Sequence, residues 1–357
     1  MSKNSAKVFI TGGSGFVAST IIDDLIKEGY KVTASVRSPQ RAKEIIDTHP
    51  SWESSLDFAY VADIVEPGAF DEAFKNEKDG FDYVMHTASP VTFVVDDIQK
   101  FLIDPAVQGT LGVMKSAHEL GGSKLKRFVL LSSGVAALDS FEDTSKAGKD
   151  YTEANWNPVT AEYAIENNDT VSGYNASKKL AEEAAWKFME ENKPAFDLTV
   201  LNPQIIIGPM LQPVSKPESF NETNIFAVYN FLNGAYKKVE DLKFPFYHFI
   251  DVRDVSRAHV LALTNPAASN KRIIIVSGLI TPQLIVNIIG KNFPQLKSRL
   301  PEGGDPNKIL PEGTVPTGWD TSRSFQIFGE SWKYKELEES LVDTVNAILE
   351  FEKKWDV

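Results

Sequence analysis

The sequence predicts an α/β fold, in which a parallel β-sheet carries helices on both of its faces. Short runs rich in β-branched and aromatic residues alternate with amphipathic helical stretches through the first 205 residues. The first of these runs leads directly into a glycine-rich turn and then into a helix. Strands that alternate with helices at this spacing are joined by right-handed crossovers, which make a parallel sheet. Beyond residue 205 the alternation ends, which predicts a smaller and less regular C-terminal part.

The predicted elements of the first part carry clear boundary signals. The first helix ends at Gly29, and the second has Pro39 near its start, where the missing proline N–H needs no helical partner. Pro203 ends the last strand of this part. Strands are predicted at residues 7–11, 31–37, 57–63, 81–89, 126–133 and 196–203. The connecting helices are predicted at 19–29, 38–49, 68–77, 100–120 and across Tyr174 to about 192.

The C-terminal part is rich in proline, asparagine and aromatic residues and has fewer regular elements. We expect residues 1–205 to form a doubly wound parallel sheet of the Rossmann type, to which 247–263 returns. Residues 206–246 and 264–357 are expected to form a smaller, irregular substrate-binding domain. The elements predicted there are a helix at 222–238, a strand leading into a helix at 247–263, Pro/Gly loops at 301–317 and a terminal helix at 334–354.

Composition and charge narrow the classes of function. The net charge of −12 opposes binding to nucleic acid or to an anionic membrane, so neither partner is expected. The chain has no cysteine, which excludes disulfides, thiol catalysis and thiolate metal sites. Its five histidines have no metal-ligand spacing, so no metal site is expected. No stretch has the apolar length of a signal peptide or a membrane span, and we expect a cytoplasmic protein.

The turn after the first strand has the pattern of a dinucleotide-binding site. It reads Thr-Gly-Gly-Ser-Gly-Phe-Val-Ala over residues 11–18. Its glycines allow a tight turn and a close approach to a pyrophosphate, which then lies at the N-terminus of the following helix. The alternative is an ordinary strand–helix turn, which does not need so many glycines. The predicted cofactor-binding residues of this turn are Thr11, Gly12, Gly15, Phe16 and Val17.

The end of the second predicted strand favours NADP(H) over NAD(H). An NAD site usually presents an acidic residue there to the adenosine ribose, whereas a phosphate on that ribose needs cations. This chain has Arg37 at that point and Arg41 one turn later, with no acidic residue between them. The planar guanidinium of Arg37 suits a phosphate, and the alternative is an ordinary solvated arginine. Asp63, after the third strand, is a candidate for the adenine amino group, or else it caps a turn.

Tyr174 and Lys178 form a candidate proton-donating pair. Residues four apart on a helix project from the same face. A tyrosine in water titrates at about 10, too high for efficient proton transfer at neutral pH. We expect the charge of Lys178 to lower the pKa of Tyr174 by favouring the phenolate. The alternative is a surface helix that carries both residues by chance, so the neighbouring motifs must decide.

A set of motifs occurs along the chain in an order that resembles a known family. Together they resemble the extended short-chain dehydrogenase/reductases over nearly the whole chain. Within these the chain is similar to the dihydroflavonol-reductase-like branch, and most similar to fungal NADPH-dependent aldehyde and ketone reductases of the methylglyoxal/3-methylbutanal type. The motifs are TGGSGFV at 11–17, HTASP at 86–90, LLSSG at 130–134, YNASK at 174–178, NP at 202–203 and FIDVRDV at 249–255.

The resemblance implies a catalytic Ser–Tyr–Lys unit, carried here by Ser133, Tyr174 and Lys178, with Ser132 as the alternative serine. The implied reaction is the reduction of an aldehyde or ketone to an alcohol, with hydride from NADPH and with Tyr174 as the general acid. The family's NADP(H) site also extends beyond the glycine-rich turn. The further residues implied are Ile64, Thr87, Ala88, Ser89, Tyr174, Lys178, Pro203 and Ile205.

The substrate side carries a weaker pattern. Its aliphatic and aromatic residues suit a hydrophobic small-molecule carbonyl compound, and the alternative is plain core or lid packing. We expect a monomer or a homodimer. The residues that flank the expected position of the carbonyl are Val91, Phe93, Val94, Gln204, Phe226 and Tyr229.

Two other functions are compatible with these motifs. An NAD(P)-dependent epimerase or dehydratase would use the same tyrosine and lysine but would hold a sugar-linked diphosphate in the C-terminal domain. Residues 205–250 contain no arginine for that purpose. A non-catalytic NADP-binding regulator would typically lack the tyrosine or the lysine, and both are present. The sequence therefore favours the reductase.

Overall fold

The computed structural model describes residues 6–89, 95–244 and 246–355, and its largest element is a parallel β-sheet. The strands within these ranges are β1 (Lys7–Thr11), β2 (Lys31–Val36), β3 (Leu56–Tyr60), β4 (Tyr83–His86), β5 (Arg127–Leu131), β6 (Asp197–Pro203), β7 (Ile205–Ile207), β8 (His248–Asp251), β9 (Lys271–Ile275) and β10 (Gly278–Leu279). Among the described residues, seven strands make the large sheet, in the order β3-β2-β1-β4-β5-β6-β9. All neighbouring strands in it run parallel. The predicted doubly wound parallel sheet is confirmed.

The order of strands reverses between β1 and β4. The chain runs outward from β1 to β3 and then places β4 on the other side of β1. Such a reversal leaves a crevice at the carboxyl ends of the two strands, where ligands of open parallel sheets bind. Thr11, the last residue of β1, lies beside His86, the last residue of β4. The glycine-rich turn and the HTASP segment therefore begin at adjacent points of the sheet.

Helices cover both faces of the large sheet. Alternate side chains of a strand point to opposite faces, and β1 shows this clearly. Val8 and Ile10 are buried in one apolar cluster with Ile21, whereas Phe9 is buried in another with Val113. The helices are α1 (Phe16–Lys27), α2 (Pro39–Thr48), α3 (Asp71–Asn76), α4 (Asp104–Leu120), α5 (Ala161–Glu166), α6 (Thr170–Asn192), α7 (Glu222–Asn224), α8 (Asn230–Leu232), α9 (Val252–Thr264), α10 (Pro282–Asn292), α11 (Ser322–Phe328) and α12 (Leu337–Lys354).

Three short strands form a second sheet, in the order β10-β8-β7. β7 runs parallel to β8, and β10 runs antiparallel to it. Only Gln204 separates β6 from β7, so the chain passes from the large sheet to the small one at this residue. The junction lies next to Ser133, whose Oγ is 3.5 Å from the backbone oxygen of Pro203.

The C-terminal region is divided differently from the expectation. β9 lies within the predicted substrate-binding part, yet it pairs with β6 as an edge strand of the large sheet. Ile327 and Phe328 of α11 are buried in the core of that sheet. In the returning segment 247–263, only the helix α9 packs against α1, while the strand β8 belongs to the small sheet. The prediction followed chain order, whereas the edge of a parallel sheet accepts a strand from a distant point of the chain.

Several elements end earlier than predicted. The helical segment expected at 222–238 runs from Glu222 to Leu232, because Gly234 then turns the chain with a φ of 79°. The strands expected at 81–89 and 126–133 end at His86 and Leu131. The residues that follow these two strands leave the sheet and form the walls of the crevice. The shortening is therefore part of how the site is made.

Across the described ranges, no helix combines the length and the apolar character that a membrane crossing requires. The same residues contain no cluster of three or more histidine, aspartate and glutamate side chains arranged to hold a metal ion. The apolar face of the terminal helix α12 packs into the C-terminal core through Leu341, Val345 and Ile348. This helix therefore stabilises its own domain.

Candidate active site

The glycine-rich turn fits tightly between two strands. Gly12 has a φ of 74°, a left-handed conformation that favours glycine, and its N–H donates to Ser35 Oγ at 3.1 Å. A Cβ on Gly13 would lie 2.6 Å from the Cβ of Ala34. No side chain caps the N-terminus of α1 at Gly15, and its first turn contains no acidic residue. The turn therefore offers backbone N–H groups and a positive helix end to an anion.

A buried hydrogen-bond network joins the ends of β1 and β4. Thr11 Oγ1 accepts the backbone N–H groups of Thr87 and Ala88, each at 3.1 Å, and lies 2.8 Å from His86 Nδ1. Burial, with a smaller contribution from the charge of Lys178, lowers the pKa of His86 to about 3, so its ring is neutral. Because the two amides use the lone pairs of the hydroxyl, Thr11 donates its proton to His86 Nδ1. Thr11 is thus a structural residue that fixes the crevice, and it is fully buried.

The two adjacent serines after β5 point in different directions. Ser132 Oγ donates to Glu182 Oε2 at 2.6 Å, inside the core. Ser133 Oγ accepts the N–H of Val135 at 3.3 Å, and its side chain is hydrogen-bonded to Tyr174. The geometry therefore brings Ser133 to the tyrosine, while Ser132 is occupied elsewhere.

Tyr174 and Lys178 lie on the same face of α6, with Lys178 Nζ 5.7 Å from the centre of the Tyr174 ring. Burial raises the pKa of Tyr174 to about 12, and the hydrogen bond with Ser133 opposes this rise. Burial also lowers the pKa of Lys178 to about 8. The expected net lowering of the Tyr174 pKa is therefore not seen in the protein alone, because burial removes the solvation that stabilises the phenolate. Tyr174 is a neutral phenol over the whole physiological pH range.

Glu182 is a supporting residue that the sequence analysis missed. It is fully buried on α6, and its Oε1 accepts a hydrogen bond from Arg272 Nε at 2.6 Å. Asn202 Nδ2 donates to Glu182 Oε2 at 2.7 Å and to the backbone oxygen of Ser133 at 3.0 Å. The signal was present, since Glu182 continues the spacing of four residues from Tyr174 and Lys178. Through Asn202, this hydrogen-bond network fixes the position of the Ser133 backbone.

The two candidate arginines near the second strand differ in their partners. Arg41 Nη1 pairs with Glu44 at 2.8 Å, so its charge is already matched. Arg37 is exposed at the end of β2 and makes no hydrogen bond or ion pair within the described part of the chain. Asp63 accepts the N–H of Val65 at 3.1 Å, which is the turn-capping alternative. Arg37 is therefore the cation that remains available to a phosphate.

A single cavity of about 650 Å³ brings most of the predicted residues together. Thr11, Arg37, Asp63, Ile64, Ala88 and Tyr229 do not line it, and the ring of Tyr229 packs 5.2 Å from that of Phe220. Val91, Phe93 and Val94 lie outside the described residues. The predicted residues that do line the cavity are Gly12, Gly15, Phe16, Val17, Thr87, Ser89, Ser133, Tyr174, Lys178, Pro203, Gln204, Ile205 and Phe226.

Further lining residues come from segments without a sequence motif. Val135 lies two residues after Ser133, and Val171 lies three residues before Tyr174. Lys243, Phe244 and Phe246 come from the loop before β8. Loops that approach a site from distant parts of the chain have no local signature, so spacing rules do not find them. The cavity thus combines a parallel-sheet crevice with a wall from the C-terminal region.

Comparison with known proteins agrees with this arrangement. Residues 8–278 match the sequence model of the NAD dependent epimerase/dehydratase family. The chain belongs to this family. Among its members, the NADPH-dependent methylglyoxal reductase GRE2 of Saccharomyces cerevisiae is 33% identical over 97% of this chain and 98% of that protein. The ketoreductase azaE of Aspergillus niger is 33% identical over 98% of this chain and 99% of that protein.

A solved structure of the same family extends the similarity to three dimensions. The yeast methylglyoxal/isovaleraldehyde reductase Gre2, complexed with NADPH, superposes with a TM-score of 0.85 at 32% identity. The match covers 98% of this chain and 99% of Gre2. The resemblance to fungal NADPH-dependent reductases that the motifs indicated is confirmed.

Proposed function

We propose that this protein is an NADPH-dependent carbonyl reductase, which reduces an aldehyde or ketone to an alcohol. The carrying observation is that Ser133, Tyr174 and Lys178 line the same cavity as the glycine-rich turn. A proton donor and a dinucleotide-binding turn are thereby within reach of one bound substrate. The relatives named as NADPH-dependent reductases support the same activity.

The residues present fit NADPH. Gly12 and Gly13 let the turn pack closely, since a Cβ at these positions would lie 3.2 Å from Ala88 and 2.6 Å from Ala34. The uncapped N-terminus of α1 would hold the pyrophosphate. Arg37 would pair with the additional phosphate that distinguishes NADPH from NADH. When bound, NADPH supplies the hydride.

The chain's own residues would supply the proton and position the carbonyl. Ser133 donates a hydrogen bond to the carbonyl oxygen and stabilises the negative charge that grows there. Tyr174 gives its proton to the same oxygen, and its raised pKa keeps the phenol protonated until that oxygen becomes strongly basic. Lys178, when charged, stabilises the phenolate that remains. Ser133 and Tyr174 thus act on one oxygen atom, and Lys178 acts on Tyr174.

The epimerase or dehydratase alternative is less well supported by the cavity. Such an enzyme would need cations to hold a diphosphate in the C-terminal part. Among the lining residues that the structure describes, the cations are Lys178 and the exposed Lys243, and none is an arginine. The reductase requires no such cluster.

We also propose that the protein acts in the cytoplasm on a small-molecule carbonyl compound, as a monomer or a homodimer. Fluorescence microscopy of the tagged protein and light scattering of the purified protein test the location and the oligomeric state.

The experiment for the proposed function is a panel of aldehydes, diketones, keto esters and aryl ketones, with loss of NADPH absorbance as the signal. We expect turnover of at least one class, and the product alcohol by chromatography. NADPH binding without turnover on the whole panel would instead support the non-catalytic regulator.

A further inference from the structure

A second cavity, of about 260 Å³, adjoins the catalytic one. Val171, Gln204 and Phe246 line both cavities, so the two are contiguous. Gln204 is also the single residue between the large sheet and the small one. A substrate held at Tyr174 could therefore extend past Gln204 into the second space.

Two buried amides in this second cavity lack hydrogen-bond partners. Gln204 is 6% exposed, and its Nε2 has no partner in the described part of the chain. Asn175 is 3% exposed; its Nδ2 donates to Ser140 Oγ at 2.9 Å, but its Oδ1 has no partner there. A folded chain loses stability by burying polar atoms in this way, and a ligand that pairs with them recovers the loss. These two amides thus offer a ligand an unpaired donor group, Gln204 Nε2, and an unpaired acceptor, Asn175 Oδ1.

The position of Gln204 depends on the residue that follows the catalytic serine. A Cβ on Gly134 would lie 2.5 Å from Gln204 Nε2. The missing side chain at Gly134 therefore makes room for the amide. This places the amide beside Ser133, at the end of the second cavity nearest to the reacting carbonyl.

The charges around the second cavity disfavour an anionic ligand. Its lining includes Asp139, Glu142 and Asp169 but, among the described residues, no lysine or arginine. His248 also lines it, and burial lowers the pKa of this histidine to about 4, so the ring is neutral near pH 7. A carboxylate or phosphate would find acidic neighbours and no cation.

Aromatic side chains form much of the remaining wall. The rings of Tyr151 and Trp319 lie 5.0 Å apart, and Phe246 and Tyr247 also line the cavity. Flat apolar surfaces of this kind pack well against a planar or aliphatic group. The cavity therefore suits a neutral group that is mostly apolar but carries a polar end.

We propose that the second cavity binds the tail of the substrate and selects uncharged carbonyl compounds that carry a hydroxyl group. A hydroxyl both donates and accepts, so it can pair with either amide, by accepting from Gln204 Nε2 or by donating to Asn175 Oδ1. This inference rests on the proposed reductase function, since it names the substrate class of the same site. Gln204 is thereby the specificity-determining residue, made possible by Gly134.

The test compares matched ketones that differ by one hydroxyl group. The pairs are hydroxyacetone with acetone, whose hydroxyl is next to the carbonyl, and para-hydroxybenzylacetone with benzylacetone, whose hydroxyl is farther from it. For each pair, the ratio of the two kcat/KM values is measured with NADPH in the wild type and in Gln204→Leu. Comparing ratios between proteins cancels the intrinsic reactivity of each ketone.

A matched control exists in Gln212. This glutamine is 5% exposed and has an unpaired amide oxygen, as far as the described chain shows, but it lines neither cavity. We expect Gln204→Leu to reduce the ratio for at least one pair by about fivefold or more, the typical value of a neutral hydrogen bond. Gln212→Leu should leave both ratios within about twofold, inside the scatter expected for a residue that makes no ligand hydrogen bond.

A second variant displaces the Gln204 amide without substituting that residue. Gly134→Ala adds a methyl group that displaces the Gln204 side chain, so the same ratio should fall. Unchanged ratios for both pairs in Gln204→Leu and Gly134→Ala would overturn the inference. If the wild type reduces no carbonyl compound at all, the proposed function itself fails, which is a different result.

The charge of the cavity has its own test. Methyl levulinate and levulinate share a ketone and differ in whether the tail is neutral or anionic. We expect the wild type to reduce the ester with a kcat/KM at least about tenfold higher, because one unpaired charge beside acidic groups is costly to bury. Equal values for the two compounds would contradict the proposed selection against anions.

Discussion

The two sides of the active-site cavity are built on different principles. On the cofactor side, the N–H groups of Gly12 and Gly13 are hydrogen-bonded to Ser35 of β2. The hydroxyl of Thr11 also makes all the hydrogen bonds of which it is capable. On the substrate side, Gln204 and Asn175 are buried with amide atoms that have no partner among the described residues. These contacts of the first side are made within the chain, whereas the second side keeps buried amide atoms without a partner in the described residues.

This difference shows how one fold keeps a cofactor and varies a substrate. Backbone contacts that depend on missing Cβ atoms tolerate little change, since a Cβ on Gly12 would meet Ala88 and one on Gly13 would meet Ala34. Ser133 and Tyr174, the proposed catalytic residues, line the same cavity as both sides.

The largest expected effect comes from removing the proposed proton donor. This change leaves both the cofactor side and the substrate side of the cavity intact. Tyr174→Phe should lower kcat by about 10²–10⁴-fold, the range for loss of a general acid. NADPH affinity, measured by fluorescence titration, should stay within about threefold, because only one hydroxyl is lost. Near-normal turnover in this variant would remove Tyr174 from the mechanism.

The next effect weakens the cofactor side alone. Arg37→Ala should raise the KM for NADPH by about 10–100-fold and leave that for NADH nearly unchanged, since a charged hydrogen bond is worth about 1.5–3 kcal/mol. Arg41→Ala is the matched control, because its side chain is paired with Glu44. An equal rise for both cofactors would show that Arg37 does not bind the phosphate.

Overpacking the cofactor turn should affect folding as well as binding. The methyl group in Gly13→Ala would lie 2.6 Å from Ala34, so we expect a loss of about 1–3 kcal/mol in the free energy of unfolding. NADPH binding should weaken in parallel. Gly290→Ala, whose Cβ would lie at an ordinary 3.7 Å from Leu300, is the control and should not destabilise. Denaturant unfolding measures the stability of both variants. Equal stabilities would show that the turn can accommodate the additional methyl group.

The pH dependence should reveal the charge of Lys178. Its pKa of about 8 means that it is protonated below that pH and neutral above it. Because the charged form stabilises the phenolate, kcat/KM should be constant below pH 8 and fall above it, by about tenfold at one unit higher. Tyr174, with a pKa of about 12, does not contribute to this decline. A profile flat to pH 10 would contradict the role of Lys178.

The smallest expected effect is a gain in stability on the substrate side. Gln204→Leu removes a buried amide that has an unpaired atom, so the free energy of unfolding should rise by about 1 kcal/mol. Thermal unfolding without ligand measures the change. A clear loss of stability would mean that Gln204 contributes to the core and does not await a ligand.

Much of the cofactor side could be predicted from the sequence, because its signals are local. The glycine-rich turn directly follows an apolar strand, and Tyr174 and Lys178 are one helical turn apart. The choice between Ser132 and Ser133 could not be made from neighbouring residues. It depends on Glu182, which lies fifty residues away and accepts the Ser132 hydroxyl.

The rest depends on tertiary structure. β9 joins the large sheet from a region that chain order assigned elsewhere, and the second cavity collects residues that lie between positions 138 and 319 of the chain. The pKa of Tyr174 rises because packing removes water from the phenol, which residue spacing does not report. In the sequence, Gly134 is simply the last residue of the LLSSG motif. Its importance to Gln204 follows from the short distance between a Cβ at position 134 and the Gln204 amide, which only the structure gives.

The most direct test of the central claim follows the hydride and the proton in one reaction. NADPH that carries deuterium in both hydrogen positions of its hydride-donating carbon is mixed with a ketone from the panel that is turned over, and the alcohol is analysed by mass spectrometry. We predict deuterium on the carbinol carbon of the wild-type product, and at most about one hundredth of that product with Tyr174→Phe. An alcohol without deuterium, or equal yields from the two proteins, would contradict this account.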